Sequence, residues 1–262
     1  MTTGRVTDQG LAHETGALTN ESRPVATVMR AVAVLRALAD ASGDLGNNEI
    51  ARRTRINPST VSRLLATLAT DELVSRVPDS GRFRLGPRLV ELGNAALARG
   101  DMRQVCHPHL TALTETTGET STLSLPYEEG TITVDFVQSP SSVRSVAEVG
   151  RPSIAHATAT GKVFLAYAGT MPSEPLLAYT KRTITDVALL AAEVETIRQR
   201  GWAQAVGERE EEQNAIAAPI LGTGTTLTAV LGLQGPAGRF GPKAMRAAVD
   251  QLIAHCAELS RT

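Results

Sequence analysis

Aromatic residues are scarce in this 262-residue chain, at 3%. Its cores must be built from Ala, Val, Leu and Ile, and the apolar set as a whole reaches 42%, enough for more than one core. Cysteine occurs only at Cys106 and Cys256, without a C-x-x-C pair. That excludes a disulfide framework and points to a reducing cytoplasm. No apolar run approaches the roughly 20 residues a membrane helix needs, so no membrane partner is expected. The net charge of -1 excludes a uniformly basic protein. It does not exclude DNA binding, which depends on where the charge lies. Catalytic signatures are missing too: there is no G-x-S-x-G elbow, no H-E-x-x-H and no Walker loop. Glu148, Asp135 and the five histidines are too scattered in sequence to nominate an acid–base pair. The expectation is a protein that is not an enzyme and needs no cofactor.

The length suits two compact domains of unequal size. Residues 1–23 mix Gly, Thr, Asp and Gln without period or signal-peptide pattern, and are expected to be a disordered arm. From Pro24, Val28, Val32, Leu35 and Ala39 recur at helical spacing and predict a first helix ending near Ser42-Gly43. Asn47 to Thr54 reads as a short second helix, and Arg55-Ile56-Asn57 as a tight turn. Asn57 caps a third helix with Pro58 at its first position, where a missing N–H costs nothing. Val61, Leu64, Leu65 and Leu68 form its apolar stripe. Leu73–Val77 and Arg82–Leu85 are strands around a Pro78–Gly81 turn. Residues 24–86 thus form one domain, and a helix over Leu89–Leu97 lies within a linker spanning 87–102.

Residues 103–262 read as an α+β domain. Helices are expected at Val105–Thr116, Thr160–Ala168, from a Thr185 cap to Arg200, and from about Pro242 to Leu259. Strands are expected at Thr120–Leu125, Thr131–Gln138, Val143–Val149 and Trp202–Val206. Ala215–Leu221 and Leu227–Gln234 form a hairpin around Gly222-Thr223-Gly224-Thr225, which lacks the Lys-Ser/Thr of a phosphate loop.

Three short helices followed by a two-stranded wing make a winged helix-turn-helix. A recognition helix packs one face on its domain and offers the other to the major groove. Ser59, Thr60 and Ser62 permit close approach to a duplex, and Arg63 can reach a guanine edge bidentately. Between Ala51 and Arg88 lie eight arginines against Asp71, Glu72 and Asp79, leaving +5 in a chain of total charge -1. Arg53 and Arg55 lie in this cluster, and the wing residues Arg82 and Arg84 suit phosphate or minor-groove contact. The competing reading is a common packing unit carrying solvated arginines.

Two local features of the second half suggest ligands. Ala157-Thr158-Ala159-Thr160-Gly161-Lys162 runs small residues into a helix start, whose free N–H groups and positive dipole end suit an anion. Thr158 and Thr160 offer hydroxyls, and Gly161 permits close approach. The alternative is a plain N-cap with close helix–sheet packing. Cys106-His107-Pro108-His109 imitates a metal cluster, but neighbours on a helix point in different directions while zinc needs converging ligands, so a structural role is expected and no metal site.

The stretches Asn48–Thr54, Asn57–Leu65 and Gly81–Gly86 resemble the DNA-binding domain of IclR-type regulators. Gly150-Arg151-Pro152 with His156–Lys162, Arg200-Gly201-Trp202-Ala203, Ile216–Ile220 and Gly235-Pro236 resemble that family's effector-binding domain. The resemblance runs from about Pro24 to Leu259. It implies a GAF-like domain with a mixed sheet and flanking helices, and a homodimer built through the DNA-binding half and linker helix, often paired into a tetramer. It also implies a small-molecule effector, commonly an organic acid or aromatic catabolite, that changes affinity for a double-stranded DNA operator, in a repressor or an activator. Further effector contacts carry over to Glu208, Ala215, Gly232 and Gln234. Glu208 otherwise reads as part of a solvated charge run to Glu212. Acid-binding members often have cysteine where Ala215 falls and serines where Gly232 and Gln234 fall, so a larger or less polar ligand fits better here. The leading function is a ligand-responsive transcription regulator. The alternatives are a DNA-binding or protein-interaction module with a vestigial pocket, and an enzyme using the C-terminal domain.

Overall fold

The computed structural model describes residues 25–98 and 102–261. The expected arm at 1–23 lies outside the described residues. The chain divides into two compact units between Gly93 and Asn94.

In the first unit, helices α1 (Ala26–Ala39), α2 (Asn47–Thr54) and α3 (Pro58–Thr70) precede strands β1 (Val74–Arg76) and β2 (Phe83–Leu85). The α3 start follows from its residues: Asn57 accepts from the Ser59 amide at 3.0 Å, and Pro58 needs no partner for its nitrogen. Arg55 ends α2 in the left-handed conformation, which forces the tight turn between α2 and α3. Val34, Leu38, Ile50, Val61, Leu65 and Val74 close one small core. The wing strands pair antiparallel, Val74 opposite Leu85. Helix α4 (Arg88–Ala98) carries the boundary between the units and occupies most of the expected linker.

The second unit holds α5 (Met102–Thr117), β3 (Thr120–Tyr127), β4 (Gly130–Val137), α6 (Ala159–Tyr167), α7 (Val187–Arg200), β5 (Ala203–Val206), β6 (Gln213–Leu221), β7 (Leu227–Pro236) and α8 (Pro242–Leu259). The α+β class is as expected. The sheet is not mixed: its order is β4-β3-β7-β6-β5, and every pairing is antiparallel. Both faces are buried, because the strands alternate between two cores. Leu123, Ile216, Ala218, Leu231 and Leu233 join α5 and α8 on one side. Ala203, Ala205, Ala217 and Val230 join α6 and α7 on the other. Alanines on that second face let α6 lie close to the sheet.

Two expected elements differ. Asp186, not Thr185, caps α7, accepting from the Ala188 and Leu189 amides at 2.7 and 3.0 Å. A carboxylate both accepts more strongly than a hydroxyl and complements the helix dipole. Val143–Val149 is a loop, not a strand. Its carbonyls are taken by side chains: Arg239 donates to Val143, Thr120 and Gln138 to Ser145, and Gln234 to Val146. Arg239 is itself held by the buried Glu119 through a two-pronged ion pair of 2.6 and 2.7 Å. The valines of this segment, Val143, Val146 and Val149, are exposed. The cysteines sit in the core; burial pushes the Cys106 thiol up to about 11, and that of Cys256 higher still.

Candidate functional site

On the first unit, Ser59, Ser62, Arg63, Ala66, Thr67 and Thr70 form one exposed stripe along α3, opposite buried Val61, Leu64, Leu65 and Leu68. Thr60 is half-buried and Asn57 is exposed. The Asn57 side chain holds the helix start together, taking a second hydrogen bond from the Ser59 hydroxyl at 2.8 Å. Arg63 projects from the middle of this face and, with Arg55, makes no ion pair among the described residues.

The other nominated arginines are engaged. Arg53 pairs with Glu49 at 3.1 Å, Arg82 with the same carboxylate at 2.8 Å, and Arg84 with Asp44 at 3.3 Å. Arg82 also donates to the Asp44 carbonyl at 2.7 Å. These contacts tie the wing to α2 and its preceding loop. Exposed pairs of this kind contribute about 0–1 kcal/mol each, so an incoming phosphate can displace them.

On the second unit, a cleft of about 790 Å³, including its open mouth, lies between the α6 start and the sheet. Thr158, Thr160, Glu208, Ala215, Gly232 and Gln234 all line it. These residues are far apart in sequence, and the fold brings them together. Gly161 does not line it. A Cβ there would fall 2.6 Å from the Ala155 Cα, so its missing side chain serves close packing of α6, not ligand approach. Thr158 is also committed: its hydroxyl caps α6 by accepting from Gly161 N–H at 3.1 Å and donates to the Ile154 carbonyl. The amides of Ala159 and Thr160 are those of the first turn that this cap leaves aside.

Glu208 is not the solvated end of a charge run. It is buried, and Lys162 Nζ approaches it at 2.7 Å. Lys162 is itself buried and also donates to the Gln204 carbonyl at 3.1 Å. The loop carrying Glu208 is pinned from behind by Thr180 and Thr183, which donate to the Gly207 and Glu208 carbonyls at 2.6 Å each. The ammonium lies against both carboxylate oxygens but is well directed only at Oε1. Oε2 therefore keeps an acceptor position without a directed donor. Gly232 lets Thr122 and Thr160 pack close: an added Cβ would stand 2.6 Å from Thr122 Oγ1 and 3.3 Å from Thr160 Cγ2. Gln234 reaches across to the Val146 carbonyl at 3.3 Å, joining β7 to the 138–150 loop.

Sequence reasoning missed the cleft's other polar walls. Thr122 and Ser124 of β3 and Thr133 of β4 line it, and their hydroxyls have no partner among the described residues. Period-two spacing of hydroxyl residues along a buried strand was the available signal. Arg151 and Arg209 stand at the rim, Arg151 paired to Glu210 at 3.3 Å.

The same two-unit layout recurs among known proteins. The IclR helix-turn-helix model matches residues 27–78, and the model for the C-terminal region of the bacterial transcriptional regulator IclR matches residues 94–261. This chain belongs to the IclR family. The glycerol operon regulatory protein of Streptomyces griseus is 32% identical to it over 84% of this chain and 89% of its own length. A solved IclR transcriptional regulator from Alicyclobacillus acidocaldarius superposes with a TM-score of 0.80 at 27% identity, covering 91% of this chain and 99% of that one. An IclR homologue from Microbacterium hydrocarbonoxydans, solved with 4-hydroxybenzoate, shares the fold at a TM-score of 0.74 and 24% identity over 90% of this chain and all of its own. As an IclR-family member, the chain is a ligand-responsive, DNA-binding transcriptional regulator and not an enzyme. Its helix-turn-helix binds DNA and its C-terminal domain takes a small-molecule effector.

Lys162 and Glu208 give one prediction. Lys162→Met leaves a buried carboxylate uncompensated and is expected to cost about 3–5 kcal/mol of stability. Adding Glu208→Gln removes that charge and should restore much of the loss. Urea unfolding of the two single variants and the double variant measures the coupling, and simple additivity would refute it.

Proposed function

We propose that the chain grips its operator as a dimer or as a pair of dimers, and that a hydroxylated organic acid in the cleft adjusts that grip. The reading assigns residues 24–86 to DNA, 87–102 to the link and 103–262 to the effector, all acting in the cytoplasm, where its DNA target lies. The observation that carries it is the cleft itself, where hydroxyls without partners converge beside Glu208. Thr122, Ser124, Thr133 and Thr160 can exchange hydrogen bonds with ligand hydroxyls. The amides at the α6 start and Arg209 favour one acidic group. Glu208 and Glu210 are balanced by Lys162 and Arg151, so the cleft has no concentrated positive field for a small dianion. The short side chain of Ala215 leaves room for a ligand larger than a short keto acid.

For DNA, Arg63 is the base reader, with Asn57, Ser59, Thr60 and Ser62 setting close approach. Arg53, Arg55, Arg82 and Arg84 meet phosphate. The dimer is supported by α1: Val25, Val28, Met29 and Val32 stand exposed at i, i+3, i+4 and i+7, an apolar stripe that its own unit does not cover. Any effector signal must shift the balance between two arrangements of the subunits.

Arg63→Ala should lower operator affinity by about 1–3 kcal/mol and relax preference at one base pair, read by mobility shift against scrambled duplex. Equal loss on both duplexes would remove Arg63 from base reading. Val28→Asp places a charge on the α1 stripe and should dissociate the oligomer, as sedimentation velocity would show; an unchanged mass would move the interface elsewhere. A metabolite screen by thermal shift tests the cleft, since ligand at 100 times its Kd adds about 2.7 kcal/mol. Gly232→Val, whose side chain would crowd Thr122 and Thr160 at the cleft wall, should abolish that shift while leaving ligand-free operator binding intact. A screen without any shift in the wild-type chain would favour a vestigial cleft.

A further inference from the structure

On the sheet face opposite the cleft, α5 and α8 bring together side chains that effector binding does not use. Cys106, His107 and His109 do diverge, as expected for neighbours on a helix. Cys106 enters the core, His107 Nδ1 meets Asp135 at 2.8 Å, and His109 turns toward α8. There the remaining ligands come from the far end of the chain. His255 and Glu258 lie three residues apart, hence on one face of α8, in its closing turns. The Nδ1 atoms of His109 and His255 approach to 2.8 Å, with their rings nearly perpendicular at 87°. With a Glu258 carboxylate oxygen, these ligand atoms all lie within 4.8 Å of one another.

We infer that His109, His255 and Glu258 form a binding site for a divalent cation of the zinc class. Two imidazole nitrogens and one carboxylate suit zinc, cobalt or nickel, whereas magnesium and calcium prefer oxygen donors. Bonds of about 2.0–2.1 Å in tetrahedral geometry place two nitrogens about 3.3 Å apart, so the rings need to open by only about half an ångström. Water would complete the coordination on the side where Glu258 is exposed. The carbonyl end of α8 adds a partial negative charge to the site. Cys256 is not a ligand: its Sγ points to the Ala218 carbonyl at 3.6 Å. A bound ion would cross-link the first helix of the effector unit to its last.

The test is a zinc titration of the tag-free full chain after chelator treatment, with a chromophoric chelator as competitor, and cobalt absorption as a report of geometry. One ion per chain is expected, together with the visible bands of four-coordinate cobalt. His109→Gln, His255→Gln and Glu258→Gln should each weaken zinc by at least about 10-fold, the loss that follows removal even of a residue that only supports a ligand. His107→Gln should leave affinity unchanged, because that ring belongs to Asp135. Far-UV circular dichroism and operator binding establish that each variant is folded. Zinc affinity unchanged in folded His255→Gln and Glu258→Gln, or lost in His107→Gln, would overturn the assignment. So would magnesium competing equally with zinc.

Discussion

The five-stranded antiparallel sheet has to hide both of its faces, and the rest of the effector unit follows from that requirement. An antiparallel sheet can leave one face to water. Here the strands carry apolar residues in both directions, so helices must cover both sides. Leucine and isoleucine point toward α5 and α8, while alanine and glycine dominate toward α6. Large side chains fill the first interface. On the second, small ones let α6 sit close at Gly161 and Gly232 and leave a void near Ala215. The cleft is what remains where close approach ends. A chain richer in aromatics would have filled it.

The Lys162–Glu208 pair then sets the shape of that void. Taking two charges out of water costs several kcal/mol per ion, recovered only with good geometry and further hydrogen bonds. Lys162 meets that condition through the Gln204 carbonyl, and the loop of Glu208 through Thr180 and Thr183. Glu208 Oε2 is buried and has no directed donor among the described residues.

The DNA-binding unit uses charge differently. Its wing arginines rest on Glu49 and Asp44 at the surface, where pairing contributes little and exchange for phosphate is easy. Arg63 has no such resting partner among the described residues and stands on a helix face otherwise limited to small side chains. The acids hold the wing against α2 without committing the arginines.

The sequence by itself determined the elements whose signals are local. Asn57-Pro58 defined the start of α3, the 47–54 helix carried its own boundaries, Gly201 ended α7, and the order of motifs identified the family. It also grouped Glu208, Ala215, Gly232 and Gln234 by resemblance, though not for the reasons the structure supplies. Other features rest on contacts between distant segments, which periodicity does not encode. The valine-rich run at 143–149 reads as a strand locally, but Thr120, Gln138, Gln234 and Arg239 capture the carbonyls a ladder would need. Gly161 reads as a ligand contact until the backbone of Ala155 is found against it. Glu208 reads as part of a solvated charge run until Lys162, 46 residues earlier, is found buried beside it. His109 acquires His255 only when α5 and α8 lie side by side. Local sequence decides where helices and turns begin, because capping and backbone preference act over a few residues. Burial and pairing of polar groups depend on which segments meet, and only the tertiary structure decides that.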